Sequence, residues 1–363
     1  MPDEGNLLAR TLTATIPPSA GMANGPAGVT ATLAEPRGAL RNWTEYAVVL
    51  GFHGLARLAP ASLLLALARG VSRLSRRAMP GRCQTASARI RTCLGLQPGD
   101  RKADAILRGA FETLALNAVE PMVFERLLDA GRSPEEFVTV EGREQLELAL
   151  ASGRPLLFCS GHFGAWELIP LFLARRYSPI WAMARPLANP LLERYLAARR
   201  LRCVRGTVSK DGGGLKVARI MRDGESLGLL LDQNAGSKGA ILDFLGLPSS
   251  HHIVVGMMAQ RFDALAVPIY MVRERGTLRF RLIIEPPISA DPVLPAQQAQ
   301  LDVVQRLSRS LERQVRAHPE QWLWLHDRWR HALHVLGRKQ PPQPPGPTAD
   351  GTQVPIVQGT NGA

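Results

Sequence analysis

PLLFCSGHFGAWELIPLFLARR, residues 155–176, holds two kinds of apolar pattern separated by a glycine-bounded loop. PLLFCS (155–160) is a short, continuous apolar run ended by Gly161, the signature of a buried strand. The apolar spacing from Ala165 to Arg176 predicts a helix. Working outward, the same alternation continues. PIWAMA (179–184), RCVRGT (202–207), SLGLLLDQ (226–233), LAVPIYMVRE (265–274) and the second half of TLRFRLIIEPP (277–287) read as strands. NPLLERYLAARR (189–200), GLKVARIMRDG (214–224) and VVGMMAQRFDA (254–264) read as helices between them, and Arg82 to Leu128 is helical throughout. Strand and helix in turn predict an α/β layered fold, with a largely parallel central sheet flanked by helices.

Catalytic groups in such sheets collect just beyond the carboxyl ends of strands. His162 stands there, between Gly161 and Gly164. Glu167 follows in the predicted first helical turn, placed to hold the imidazole tautomer and to stabilise an imidazolium. Ser160 and Cys159 are read as pointing into the sheet, so the hydroxyl to be activated comes with the substrate. Backbone N–H groups of Gly161 to Gly164 are the expected oxyanion donors, worth about 3–4 kcal/mol each in such a role.

Formal net charge is +13, and among 44 basic residues only Lys102, Lys210, Lys216, Lys238 and Lys339 are lysine. The partner is therefore anionic: nucleic acid, a phospholipid surface or an acidic protein. No interleaved aromatic and basic platform supports nucleic acid. Cys83, Cys93, Cys159 and Cys203 form no Cys-x-x-Cys pair, and with no signal peptide read at the start this points to a reducing, cytoplasmic setting. No phosphate-binding glycine loop implies a nucleotide cofactor, and His251 and His252 lack acidic or histidine partners at ligand spacing, so no metal is expected.

Residues 1–40 are expected to be a disordered leader and 340–363, beginning QPPQPPGP, a disordered Pro-rich tail, leaving 41–339 as the folded domain. Its first part, 41–80, contains the most apolar stretch of the chain, Tyr46 to Ala68. Arg57 within it would cost about 2.5–3.5 kcal/mol at the centre of a span. A membrane-associated helix lying in the interface, kinked at Pro60, is expected, with Arg57, Arg69, Arg73, Arg76 and Arg77 meeting lipid phosphates. A buried core helix and a true span are the alternatives.

SGHFGAWE (160–167) is followed in order by ARPLANPLLERYLAARR (184–200), LLLDQNAGSKGAILDFLG (229–246) and HPEQWLWLHDRWR (318–330). This series resembles the lauroyl and myristoyl acyltransferases of bacterial lipid A biosynthesis, within the glycerolipid-acyltransferase-like group marked by His-x4-Asp/Glu. The resemblance covers roughly residues 43–335. It implies a membrane-bound O-acyltransferase at the cytoplasmic face of the inner membrane, carrying a fatty acyl group from an acyl carrier protein thioester to a glycolipid hydroxyl. His162 and Glu167 match the catalytic pair. Arg185, Asp232, Gln233 and Phe244 match positions near substrate; Lys210 and Arg194 are further candidates for phosphate. Trp322, Trp324 and Trp329, with Arg328 and Arg330, fit either a membrane interface or a docking helix, and helix packing is the favoured half. The chain departs from the family pattern at SSHHIVVG (249–256), which bears on acceptor or chain-length specificity. An acyl-CoA-dependent enzyme for another glycolipid, such as a phosphatidylinositol mannoside, is the near rival. A nucleic-acid-binding protein and an inactive membrane scaffold are the distant ones.

Overall fold

A computed structural model describes residues 38–209, 212–335 and 337. The expected leader, but for its last residues, and the Pro-rich tail lie outside them, as does Lys210.

Five helices precede the first strand: α1 (Ala39–Leu58), α2 (Ala61–Ala78), α3 (Pro80–Leu94), α4 (Arg101–Asn117) and α5 (Glu120–Asp129). The expected kink at Pro60 is a full break between α1 and α2. Proline drives the residue before it out of the helical region, and Ala59 is extended, at φ −71° and ψ 146°. α2 buries Leu64, Leu65, Ala68 and Ser72 against the domain, leaving Leu63, Leu67, Val71 and Leu74 exposed along another face.

The remaining elements alternate: β1 (Val138–Glu141), α6 (Arg143–Ala151), β2 (Leu156–Ser160), α7 (Leu168–Arg176), β3 (Ile180–Ala184), α8 (Pro190–Arg200), β4 (Val204–Ser209), α9 (Gly214–Arg222) and β5 (Leu227–Leu230). A hairpin of β6 (Ala240–Phe244) and β7 (Leu247–His251) stands apart, followed by α10 (Val254–Arg261), β8 (Leu265–Arg273), β9 (Phe280–Ile284), α11 (Ala296–Ala317) and α12 (Arg330–Val335). The main sheet has seven strands in the order β1-β9-β8-β2-β5-β3-β4. All pairs are parallel except β8 with β9. Every residue of β2 and of β8 is buried, which is why these strands read as unbroken apolar runs rather than alternating ones.

One register positions the site. Ser160, the last residue of β2, pairs with Leu230, the last of β5, and the Leu231 amide donates to the Ser160 carbonyl at 2.9 Å. His162 and Asp232 each lie two residues beyond that pair and so leave the sheet side by side.

Candidate active site

The loop after β2 is held on all sides. Gly164 has φ +59°, and a Cβ there would lie 1.9 Å from the Met271 carbonyl oxygen, so only glycine fits. Ala165 N donates to that carbonyl at 2.7 Å, Gly164 N to Gln321 O at 2.8 Å, and Leu323 N to His162 O at 3.1 Å. The buried Asn117 amide donates to Gly164 O at 2.7 Å. These bonds delay the helix, which begins at Leu168 rather than at Ala165. They also narrow an expectation: the amides of His162, Phe163 and Gly164 are donated to Asp232, Gly161 and Gln321, so these three are committed inside the loop rather than turned towards an oxyanion.

His162 is 18% exposed along its side chain, and Asp232 only 3%. Nδ1 of the imidazole lies 2.7 Å from Asp232 Oδ1. The other carboxylate oxygen, Oδ2, accepts from the His162 amide at 2.8 Å and from the Trp322 indole at 2.9 Å. Burial alone would push this carboxyl's pKa up, but the His162 charge and hydrogen bonds, with the Arg328 charge, hold it far below its ordinary value. An ionised acceptor at Nδ1 keeps the proton on that nitrogen and leaves Nε2 as the basic one. The Gln233 amide nitrogen stands 3.5 Å from Nε2.

Glu167 is exposed. Its carboxylate accepts from the Trp166 indole at 3.1 Å, and the Trp166 ring meets the His162 ring edge-on, centroids 5.4 Å apart. The carboxylate bonded to Nδ1 is thus Asp232, read from the sequence as a substrate contact. Arg185 is exposed at the carboxyl end of β3, on the same edge of the sheet as His162 and Asp232. Ser160 and Cys159 are buried, and burial raises the Cys159 thiol far above its ordinary value, which removes it as a nucleophile.

Packing and pairing decide the remaining readings. Phe244 is fully buried, its ring 5.3 Å from Trp322 and 6.2 Å from Trp329, and forms the floor beneath the site rather than a cleft wall. Trp322, Trp324 and Trp329 are buried in the same cluster, so they pack the core and present nothing to a membrane. Arg69, expected at lipid phosphate, is ion-paired with Glu112 at 2.8 Å.

Arg328, read in the sequence only as part of the tryptophan cluster, sits directly behind the site. Its guanidinium is buried, donates to Leu231 O at 3.4 Å, touches the His251 ring at 3.2 Å and lies over Phe244 at 4.2 Å, with no ion pair among the described residues. Desolvation lowers its pKa to about 10, while Asp232 and Glu312 oppose the fall. His251, packed beside it, is held well below its ordinary value by burial and by that charge. His326 accepts from the Asn234 amide at 3.0 Å.

The family model described as bacterial lipid A biosynthesis acyltransferase matches residues 34–331. The chain is similar to lipid A biosynthesis acyltransferase 2 of Shigella flexneri, 23% identical over 78% of this chain and 88% of that protein. It is likewise similar to the lipid A biosynthesis lauroyltransferase of Escherichia coli K12, 23% identical over 75% of this chain and 86% of the relative. The 1-acyl-sn-glycerophosphate (LPA) acyltransferase structure from Thermotoga maritima aligns over 69% of this chain and 96% of its own at 16% identity and a TM-score of 0.34.

Proposed function

The chain belongs to the bacterial lipid A biosynthesis acyltransferase family and is an acyltransferase, and on that premise we propose that it moves a fatty acyl group from an acyl carrier protein thioester to a hydroxyl of a phosphorylated glycolipid of the lipid A precursor class. The observation that carries the mechanism is the contact of His162 Nδ1 with the buried Asp232. In this reading His162 Nε2 takes the acceptor's hydroxyl proton as that oxygen attacks the thioester carbonyl carbon. The tetrahedral intermediate collapses with cleavage of the C–S bond, and the imidazolium returns its proton to the departing sulfur. Asp232 stabilises the imidazolium, and Glu167 acts on His162 through Trp166, whose indole it holds. Gln233 and Arg185 take the oxyanion role, since the amides of His162, Phe163 and Gly164 are already bonded.

The setting we propose is a membrane surface. No described helix is long and apolar enough to cross a bilayer. Between Glu45 and Asp100 the sequence has no acidic residue. On α2 the exposed Leu63, Leu67, Val71 and Leu74 run beside Arg73, Arg76 and Arg77, and with Arg82 on α3 these arginines make no ion pair among the described residues. Apolar side chains entering the interface with arginines at headgroup level suit an anionic lipid surface.

The test is acyl transfer by the purified protein, with acyl carrier protein and CoA thioesters offered separately to a lipid A precursor. Product heavier by one acyl group with wild type and absent with His162→Ala supports the reading. No acylated product from either donor overturns it.

A further inference from the structure

Beside the N-terminal helices lies a cleft of about 270 Å³ between α1, α5 and α8, lined by His53, Arg57, Glu125, Arg126, Arg199 and Arg202, among others. Its carboxylates are already occupied. Glu125 holds Arg199 at 2.5 Å and Arg202 at 2.9 Å; Asp129 holds Arg202 at 2.8 Å and Arg175, from outside the cleft, at 2.9 Å. The lining carries four guanidiniums against these two carboxylates, and Arg57 makes neither an ion pair nor a side-chain hydrogen bond among the described residues.

The end of α1 would ordinarily repel an anion, because its last carbonyls point outward with partial negative charge. Arg126 cancels this by donating to the Ala59 and Ala56 carbonyls at 2.6 and 3.0 Å. The local field registers at His53, whose pKa is lowered by burial and then by Arg199. His53 is fastened to α8 by the Tyr195 hydroxyl at 2.7 Å. The Cys203 thiol, just past α8, is pushed up to about 11 by burial and then by Glu125, a carboxylate of the cleft, and Glu167.

We propose that this cleft binds a phosphate group on the sugar headgroup of the acceptor, with Arg57, Arg199 and Arg202 as its ligands. Guanidinium forks match phosphate oxygens in pairs, and a partly enclosed site strengthens the attraction. The inference rests on the acyl-transfer reading for the molecule that carries the phosphate, and on the cleft alone for the phosphate itself.

The experiment uses the full chain and the variants Arg57→Gln and Arg199→Gln. Binding of glucosamine 1-phosphate is followed by calorimetry, with glucosamine as the control; co-sedimentation with phosphatidylglycerol vesicles is measured separately. Turnover is compared on phosphorylated and dephosphorylated forms of the glycolipid acceptor. The expected result is loss of glucosamine 1-phosphate binding, and a roughly tenfold fall in the ratio of kcat/KM for phosphorylated over dephosphorylated acceptor, about 1.4 kcal/mol. Thermal melts check the fold of Arg199→Gln, which breaks an ion pair; Arg57→Gln breaks none among the described residues and reads the proposal by itself if Arg199→Gln is unfolded. An unchanged ratio with unchanged sugar-phosphate binding overturns the proposal. So does a loss confined to vesicle binding, which would assign these arginines to bulk lipid. If wild type acylates no acceptor at all, the transfer reading fails, while the calorimetric arm still decides the cleft.

Discussion

Replacing Asp232 by Asn changes one oxygen to an NH2, and the surroundings dictate which one. Oδ2 receives two obligatory donors, the His162 amide at 2.8 Å and the Trp322 indole at 2.9 Å. An amide NH2 cannot stand there without leaving both donors facing another donor, at about 1–3 kcal/mol for each group left unsatisfied. The asparagine oxygen must therefore take the Oδ2 place and its NH2 the Oδ1 place, 2.7 Å from His162 Nδ1. Nδ1 is then obliged to accept, the ring proton moves to Nε2, and the nitrogen assigned as base is blocked. The same exchange in a serine-protease triad lowers kcat about 10⁴-fold, and at about 1.4 kcal/mol per tenfold this is between 5 and 6 kcal/mol of barrier, roughly. The expectation is a fall in kcat of about 10³ to 10⁴, with KM changed little and the fold intact by circular dichroism. The assay is transfer of radiolabelled acyl groups at saturating acceptor, with Glu167→Gln run in parallel and expected to lose about tenfold, since Gln can still accept from the Trp166 indole. Asp232→Asn retaining a tenth or more of wild-type kcat would refute the tautomer argument, and a larger loss in Glu167→Gln would return the principal carboxylate role to Glu167.

Gly164→Ala should fail to accumulate as folded protein, or melt with a loss of about 3 kcal/mol or more, because the new methyl meets the Met271 carbonyl at a positive φ; a normal thermal melt would show that the loop is not locked. Trp322→Phe keeps most of the ring packing and deletes one donor to Asp232, so kcat should drop several-fold with about 1 kcal/mol of stability, read by kinetics and denaturant titration; unchanged kcat would sever Trp322 from the site. Arg328→Met removes a buried cation that has no ion pair among the described residues, so stability should change by less than about 2 kcal/mol while kcat/KM falls about tenfold; collapse of the fold would make it a structural residue. His251 is neutral in the folded state because burial, and then Arg328, lowers its pKa from 6.5. The unfolded chain takes up that proton first, so stability is present above about pH 6.5 and is lost as the pH falls below it. Melting temperatures should decline from pH 8 to pH 5, with a flatter profile in His251→Gln; a rise towards acid would contradict the assignment.

Outside the β6–β7 hairpin, the order of strands and helices was legible from Leu156 to Ile284 because central parallel strands are buried on both faces and appear as unbroken apolar runs. The edge strand β1 was not. It is four residues long, VTVE, with only Val138 fully buried, and carries too little pattern to separate from a loop. Nor was the hairpin of β6 and β7. It packs Phe244 and His251 under the tryptophans, yet its residues were read only as part of a family motif and as a departure from it, with Phe244 near substrate. Burial places Phe244 in the core and decides between the two readings of the tryptophans: aromatic side chains suit a lipid interface or a core equally well, and only packing distinguishes the two.

His162 and Glu167 were visible because they are near neighbours in the chain, and a loop glycine and a strand end announce the first of them. Asp232 lies seventy positions away from His162, where spacing carries no information without the sheet. The missing link is the register of β2 against β5. Parallel strands set residues at equal offsets beyond a paired position next to one another, so pairing Ser160 with Leu230 brings residues 162 and 232 together. The chain placed a carboxylate at that offset and a tryptophan donor behind it. An Asp at the end of a buried strand is therefore better read as the partner of whatever leaves the adjacent parallel strand at the same height than as a contact waiting for substrate.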